Sequence, residues 1–179
     1  MSHRSFSNIS IAQRIPISFS SAQALGKPTA VTIGCNSGFS MPIYNSDNEE
    51  LFFTLKIPRR WDGTTDPVVT VLAHLGNTED VGDKFQFQLS YVCNSTTGAL
   101  SATTNDVPVE TTVITDKTAQ YSTYPVSFTL DATKIINGCE FKARLRRIAA
   151  SGSEVSNEII VTSVYINFNR DKLGSKYNY

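Results

Sequence analysis

Apolar and polar residues alternate along most of this chain, most clearly over residues 50–57 and 84–93. In the first run Leu51, Phe53, Leu55 and Ile57 fall on one side of a period-two pattern, and Phe52, Thr54 and Lys56 on the other. That is the pattern of a strand with one face in a core and one mixed face. Pro58 removes a backbone donor and ends the ladder, Arg59-Arg60-Trp61 leaves the sheet, and Asp62-Gly63 turns the chain. In the second run Phe85, Phe87, Leu89, Tyr91 and Cys93 point inward, with Lys84, Gln86, Gln88 and Ser90 outward. The same grammar predicts strands over 29–35, 39–44, 67–75, 108–115, 126–130, 139–148 and 158–168, with a turn at Asn36-Ser37-Gly38 after the first of them. The last is apolar almost throughout, which predicts a central position. Residues 94–106 form an exposed Ser/Thr/Asn-rich connection. Residues 131–138 predict one or two helical turns, capped by Asp131 and ended by Gly138.

About eight to nine short strands without alternating βα units predict an all-β fold, an antiparallel β-sandwich of jelly-roll type. The sandwich is expected over 29–169. An extended Ser-rich N-terminal arm (1–28), with a short edge strand tolerating Pro16, precedes it, and a polar C-terminal tail (170–179) follows.

Composition narrows the function. At 179 residues and 40% hydrophobic, with ten Phe and seven Tyr, the chain can bury a core without a metal or disulfide staple. Sixteen basic and sixteen acidic residues cancel, which argues against a dedicated nucleic-acid binder. No apolar run approaches the roughly 18 residues needed to span a bilayer, so no membrane partner is expected. The first residues lack the apolar core of a signal peptide, which predicts synthesis and retention in a cytoplasm. Cys35, Cys93 and Cys139 form no CxxC pair, and each lies in or beside an apolar run. They are expected to be buried free thiols.

Candidate chemistry is sparse. Of the two histidines, His3 lies in the arm and His74 on a strand, and no G-x-S-x-G elbow accompanies His74, so an outer-face histidine is expected rather than a catalytic one. Asp62, Asp66, Glu79, Asp80 and Asp83 could offer oxygen ligands to calcium, but without EF-hand spacing they read as turn residues. Phosphate loops are absent. No catalytic residue and no cofactor is expected. Two basic clusters remain, Arg59-Arg60 and the run Lys142, Arg144, Arg146, Arg147. Alternation puts Lys142, Arg144 and Arg146 on one strand face, either paired with carboxylates such as Glu140 or docking an acidic protein surface. Trp61 packs under the sandwich edge or anchors a contact.

Several segments carry a resemblance. Leu51-Phe52-Phe53 leading to Ile57-Pro58-Arg59-Arg60-Trp61-Asp62-Gly63, then Phe87 to Tyr91, Phe141 to Ala149, and Val164 to Ser175 with its closing Asp171-Lys172-Leu173-Gly174-Ser175, resemble a family of tailed-bacteriophage virion structural proteins. The resemblance covers about residues 50–179. Relatives often carry histidines after the tryptophan and before the closing segment; here those places hold residues 69–75, with His74 alone, and Asn167-Phe168-Asn169. The resemblance implies a non-enzymatic jelly-roll module on a phage particle.

The leading expectation is a capsid cement or decoration protein, made in the host cytoplasm and located on the capsid surface of the virion. Its partners would be the major capsid protein and copies of itself in a homotrimer, with Arg59, Arg60, Trp61, Lys142, Arg144 and Arg146 as interface residues. Such a protein stabilises the shell by binding the lattice and not free subunits. The alternatives are a tail, neck or head-fibre component, or a carbohydrate-binding module of a receptor-binding apparatus, with Trp61, Tyr121 or Tyr124 offered to a host glycan.

Overall fold

The structure, a computed structural model, describes residues 15–16, 19–22, 28–42, 50–59, 61–94 and 103–169. Among these residues eleven strands run in the order β1 (Ile15–Pro16), β2 (Phe19–Ala22), β3 (Thr29–Ile33), β4 (Asn36–Met41), β5 (Glu50–Lys56), β6 (Val68–Leu75), β7 (Lys84–Asn94), β8 (Asn105–Thr112), β9 (Thr123–Thr129), β10 (Glu140–Ile148) and β11 (Ile159–Asn167). They form two antiparallel sheets. One has the order β3-β4-β11-β6-β9, with β1 also on β11; the other has the order β2-β5-β10-β7-β8. After β4 the chain crosses repeatedly between sheets, and the fold is the β-sandwich of jelly-roll type that the alternation predicts.

The core lies between the two inner faces. Phe53, Phe85, Phe87, Tyr91, Phe128 and Phe141 are fully buried there, each stabilising the fold by about 1.5–3 kcal/mol through the apolar area removed from water. Tyr91 stacks on Phe141 with ring centroids 5.6 Å apart. The strand expected to be central is so: β11 lies between β4 and β6. It carries a bulge at Thr162, where its register against β6 shifts between Val161 and Ser163. Part of the N-terminal arm belongs to the sheets, since β1 pairs with β11 through Ile15 and Pro16 and β2 is the edge strand beside β5. The helical segment is shorter than expected, a single 3-10 turn over Ala132–Lys134, whose Thr133 N–H is accepted by the Asp131 side chain.

Two expectations need correcting. The first hairpin turns at Gly34-Cys35, not at Asn36-Ser37-Gly38. Gly34 has φ +59°, the left-handed conformation a tight hairpin requires. Gly38 instead sits within β4, where a Cβ would meet the Val161 carbonyl oxygen at 2.7 Å. Its lack of a side chain lets β11 approach, a use of glycine that reads like a turn in the sequence.

The cysteines are also not three buried thiols. Cys93 and Cys139 form a disulfide, with Cα atoms 5.9 Å apart, and Cys35 is free and exposed at the hairpin tip. Sequence separation hid the pair: the two cysteines are 46 positions apart, yet β7 and β10 are neighbouring strands.

Candidate binding groove

Antiparallel pairing of β5, β10 and β7 sets outward side chains in straight rows across the sheet. Arg144 pairs with Phe52 on one side and Ser90 on the other. The next rows are Thr54–Lys142–Val92 and Glu50–Arg146–Gln88. This face holds a groove of about 330 Å³ lined by Phe52, Thr54, Ser90, Val92, Lys142 and Arg144, with Thr104 at its rim and the backbone of Phe53 and Ala143 beneath.

Two polar atoms in this groove lack partners. Ser90 is only 1% exposed, and its Oγ makes no hydrogen bond; nor does the buried Nε of Arg144, directly across the ladder. Leaving a buried polar group unpaired costs about 1–3 kcal/mol, so most folded proteins avoid it. Here the two residues that carry such atoms both line the groove. The Arg144 guanidinium is held by one arm, because its Nη1 donates to Glu50 Oε1 at 3.0 Å. Below the groove the Cys93–Cys139 disulfide ties the end of β7 to the start of β10.

No protein-family model matches the chain, and no curated protein matches it. Solved structures similar to it include the K3 cleaved adhesin domain of Lys-gingipain from Porphyromonas gingivalis, at 15% identity and TM-score 0.42 over 73% of this chain and 74% of that one. A carbohydrate-binding module studied for specific mannan recognition aligns at 14% identity and TM-score 0.44, over 88% of this chain and 89% of that one. A carbohydrate-binding module specific for non-crystalline cellulose aligns at 15% identity and TM-score 0.41, over 80% and 79%. With TM-scores below 0.5, the functional reading rests on this chain's own residues.

The residues expected at an interface separate into three groups. Lys142, Arg144 and Arg146 do share the outer face of β10, and all three are engaged. Lys142 Nζ lies 3.3 Å from Glu140, Arg144 bonds Glu50, and Arg146 donates to Gln88 Oε1 through Nη2 at 2.8 Å and Nε at 3.3 Å. Arg59 is exposed at the end of the same sheet, its side chain running past Gly138. Arg60 lies outside the described residues. Trp61 is not a surface anchor: only 3% exposed, it is in the core, and its Nε1 donates to the Thr65 carbonyl at 3.0 Å. Pro58 ends the β5 ladder, and the chain then folds this indole under the sandwich edge.

Of the other two aromatics offered to a glycan, Tyr124 is buried, its hydroxyl donating to the Lys117 carbonyl at 2.7 Å. Tyr121 alone is exposed. Sequence reasoning placed Phe52 on the mixed face but did not single it out. The available signal was an aromatic residue on the polar side of an alternating strand.

The remaining candidates are structural. His74 sits on the outer face of the other sheet. Its Nε2 lies 2.8 Å from Thr162 Oγ1, and its Nδ1 lies 3.0 Å from Thr123 Oγ1 and 3.3 Å from the Tyr121 carbonyl. Four of the five proposed oxygen ligands hold the backbone, and Asp80 enters only through its own backbone. Asp62 Oδ1 accepts from the N–H groups of Thr64 and Thr65, and Asp66 Oδ1 from that of Ala132. Asp83 Oδ2 accepts from Asp80 N–H, and buried Glu79 accepts from Ser156 and Asn157. Among the described residues no group of three His, Cys, Asp or Glu side chains could hold a metal ion.

Proposed function

We propose that this chain is a non-catalytic binding module that holds a glycan in the groove on the outer face of β5, β10 and β7. The observation that carries this reading is the pair of buried, unpartnered atoms, Ser90 Oγ and Arg144 Nε, on two ladder partners that both line the groove. A ligand rich in oxygen would satisfy both. Phe52 lies in the same row, on the far side of Arg144, where an aromatic ring can take the C–H face of a pyranose. A site that offers one aromatic wall and a few directed polar atoms fits a sugar better than a purely apolar ligand. No described residue supplies an acid–base pair beside the groove, and His74 is bonded to hydroxyls and a carbonyl in the other sheet.

The test is binding to a panel of soluble polysaccharides by affinity electrophoresis and calorimetry. Phe52→Ala should weaken the best binder by about tenfold or more, the loss typical of a central aromatic contact. Binding of none of them, or binding that Phe52→Ala leaves unchanged, would refute the reading.

The virion reading is kept as a second proposal because the segments that carry the resemblance meet in space. Asp62 N–H, just after Trp61, donates to the Asn169 carbonyl at 3.2 Å, within the Val164–Ser175 stretch and ahead of its closing segment, which lies outside the described residues. In this reading the module decorates a phage capsid as a homotrimer against the major capsid protein. Its copy number on purified particles decides: a ratio to the major capsid protein near one-to-one or one-to-three supports cement. A few copies support a tail, neck or fibre position, and absence from particles removes the reading.

A further inference from the structure

We infer that the groove selects an acidic sugar, with a uronate carboxylate seated on Arg144 and Ser90; this rests on the glycan reading above. Of the two unpartnered atoms, the Ser90 hydroxyl can donate and Arg144 Nε can do nothing else. The ligand must therefore present an acceptor there. Among the described residues, the side chains lining the groove include the cations Lys142 and Arg144 and no carboxylate. The acids that balance them sit outside the lining, Glu50 on Arg144 Nη1 and Glu140 beside Lys142 Nζ.

Geometry favours a carboxylate over a hydroxyl. A guanidinium is a planar fork that takes carboxylate oxygens side by side. Glu50 occupies the Nη1 side, which leaves the Nε side of the fork for a ligand. Ser90 is the ladder partner of Arg144, and such partners hold their Cβ atoms about 4.5–5.5 Å apart. Two oxygens of one carboxylate can bridge that gap, one on Arg144 Nε and one on the Ser90 hydroxyl. A neutral sugar hydroxyl brings no charge of its own to the guanidinium and so makes the weaker bond there. Across the row the sequence Phe52–Arg144–Ser90 reads apolar, cationic, hydroxyl. A pyranose with its ring face on Phe52 and an acidic substituent at one edge matches that order.

The experiment titrates the folded protein with galacturonate and glucuronate oligosaccharides, their neutral galactose and glucose counterparts, and sodium acetate. The uronates are expected to bind about tenfold or more tightly than the neutral sugars, as a charge-assisted bond implies, and to weaken with added salt. Arg144→Lys keeps a cation beside Glu50 but removes the fork; it should cost the uronates about tenfold and the neutral sugars distinctly less. Ser90→Ala should lower uronate affinity with the unfolding midpoint retained, which separates a contact from a folding defect. Equal binding of neutral and acidic sugars, unmoved by Arg144→Lys, would overturn this inference and leave the glycan reading standing. Acetate binding as tightly as the oligosaccharides would overturn it as a sugar site. Failure of both sugar sets would sink both proposals.

Discussion

Arg147 offers the sharpest test of what holds this sandwich together. It follows the outward Arg146 on β10 and so points inward at the end of the sheet, where its side chain is 3% exposed. Burial pushes its pKa down, and the Glu154 carboxylate opposes that shift. Its nitrogens make five hydrogen bonds: two to Glu154 Oε1, at 2.7 and 3.1 Å, and one each to the carbonyls of Pro42, Val155 and Asn157. One side chain thereby ties the end of β4 and the β10–β11 connection to β10. Arg147→Met would keep the apolar stem but leave three carbonyls and a half-buried carboxylate without their donor. Breaking a buried ion pair from one side costs about 3–5 kcal/mol. For a chain of this size that is a fall in unfolding midpoint of very roughly 6–20 °C. Urea unfolding measures the loss directly, provided the slope with denaturant is unchanged. Adding Glu154→Gln should recover part of it, because the stranded charge is then gone. A loss below about 1 kcal/mol at constant slope would show that water replaces the guanidinium, and the bridging role would be wrong.

The remaining predictions concern the disulfide and acid stability. The Cys93–Cys139 bond closes a 46-residue separation, so the chain-entropy model gives it about 4 kcal/mol; thermal unfolding with and without reductant, or of Cys93→Ser/Cys139→Ser, checks this. Lys84 Nζ, 2.9 Å away, together with the N–H and hydroxyl of Ser151 holds the Glu110 carboxyl down to about 2, against an ordinary value of 4.5. A carboxyl depressed by folding adds stability above its unfolded pKa and loses it as the pH falls through the folded one. The wild-type chain should therefore weaken between about pH 4.5 and 2. Glu110→Gln should flatten that part of a stability–pH curve, and an unchanged curve would refute the assignment.

What the sequence disclosed follows from the range over which each signal acts. Period-two alternation is local, so β5, β7, β9 and β10 were legible to within a few residues, as was the central place of β11. The functions of Gly34 and Gly38 were exchanged because composition marks a glycine without saying whether it supplies a positive φ or a close approach. The disulfide and the Arg147 network depend on which strands become neighbours, and nothing within a few residues of either reports that. The groove was half legible. Lys142, Arg144 and Arg146 stood out as a stripe on one face, but their pairing with Glu50, Glu140 and Gln88 is cross-strand. Ser90 differs from the outward Gln86 and Gln88 only in being too short to reach a partner, and its burial emerges only once Arg144 lies opposite.

The position of β11 has a consequence for how the molecule is made. It is synthesised after β1, β4 and β6, yet all three pair with it. Until it arrives, one sheet exists as two separate pieces, the β3–β4 hairpin and the β6–β9 pair, each with an open edge. The β5–β10–β7–β8 ladder can zip earlier but has only half a core to cover it. Closure therefore joins segments far apart in the chain, a slow step that leaves unpaired edges open to other chains until it is complete. A nascent chain stalled before Ile159 would be a sticky half-sandwich, and the final nine-residue strand turns it into a sealed one.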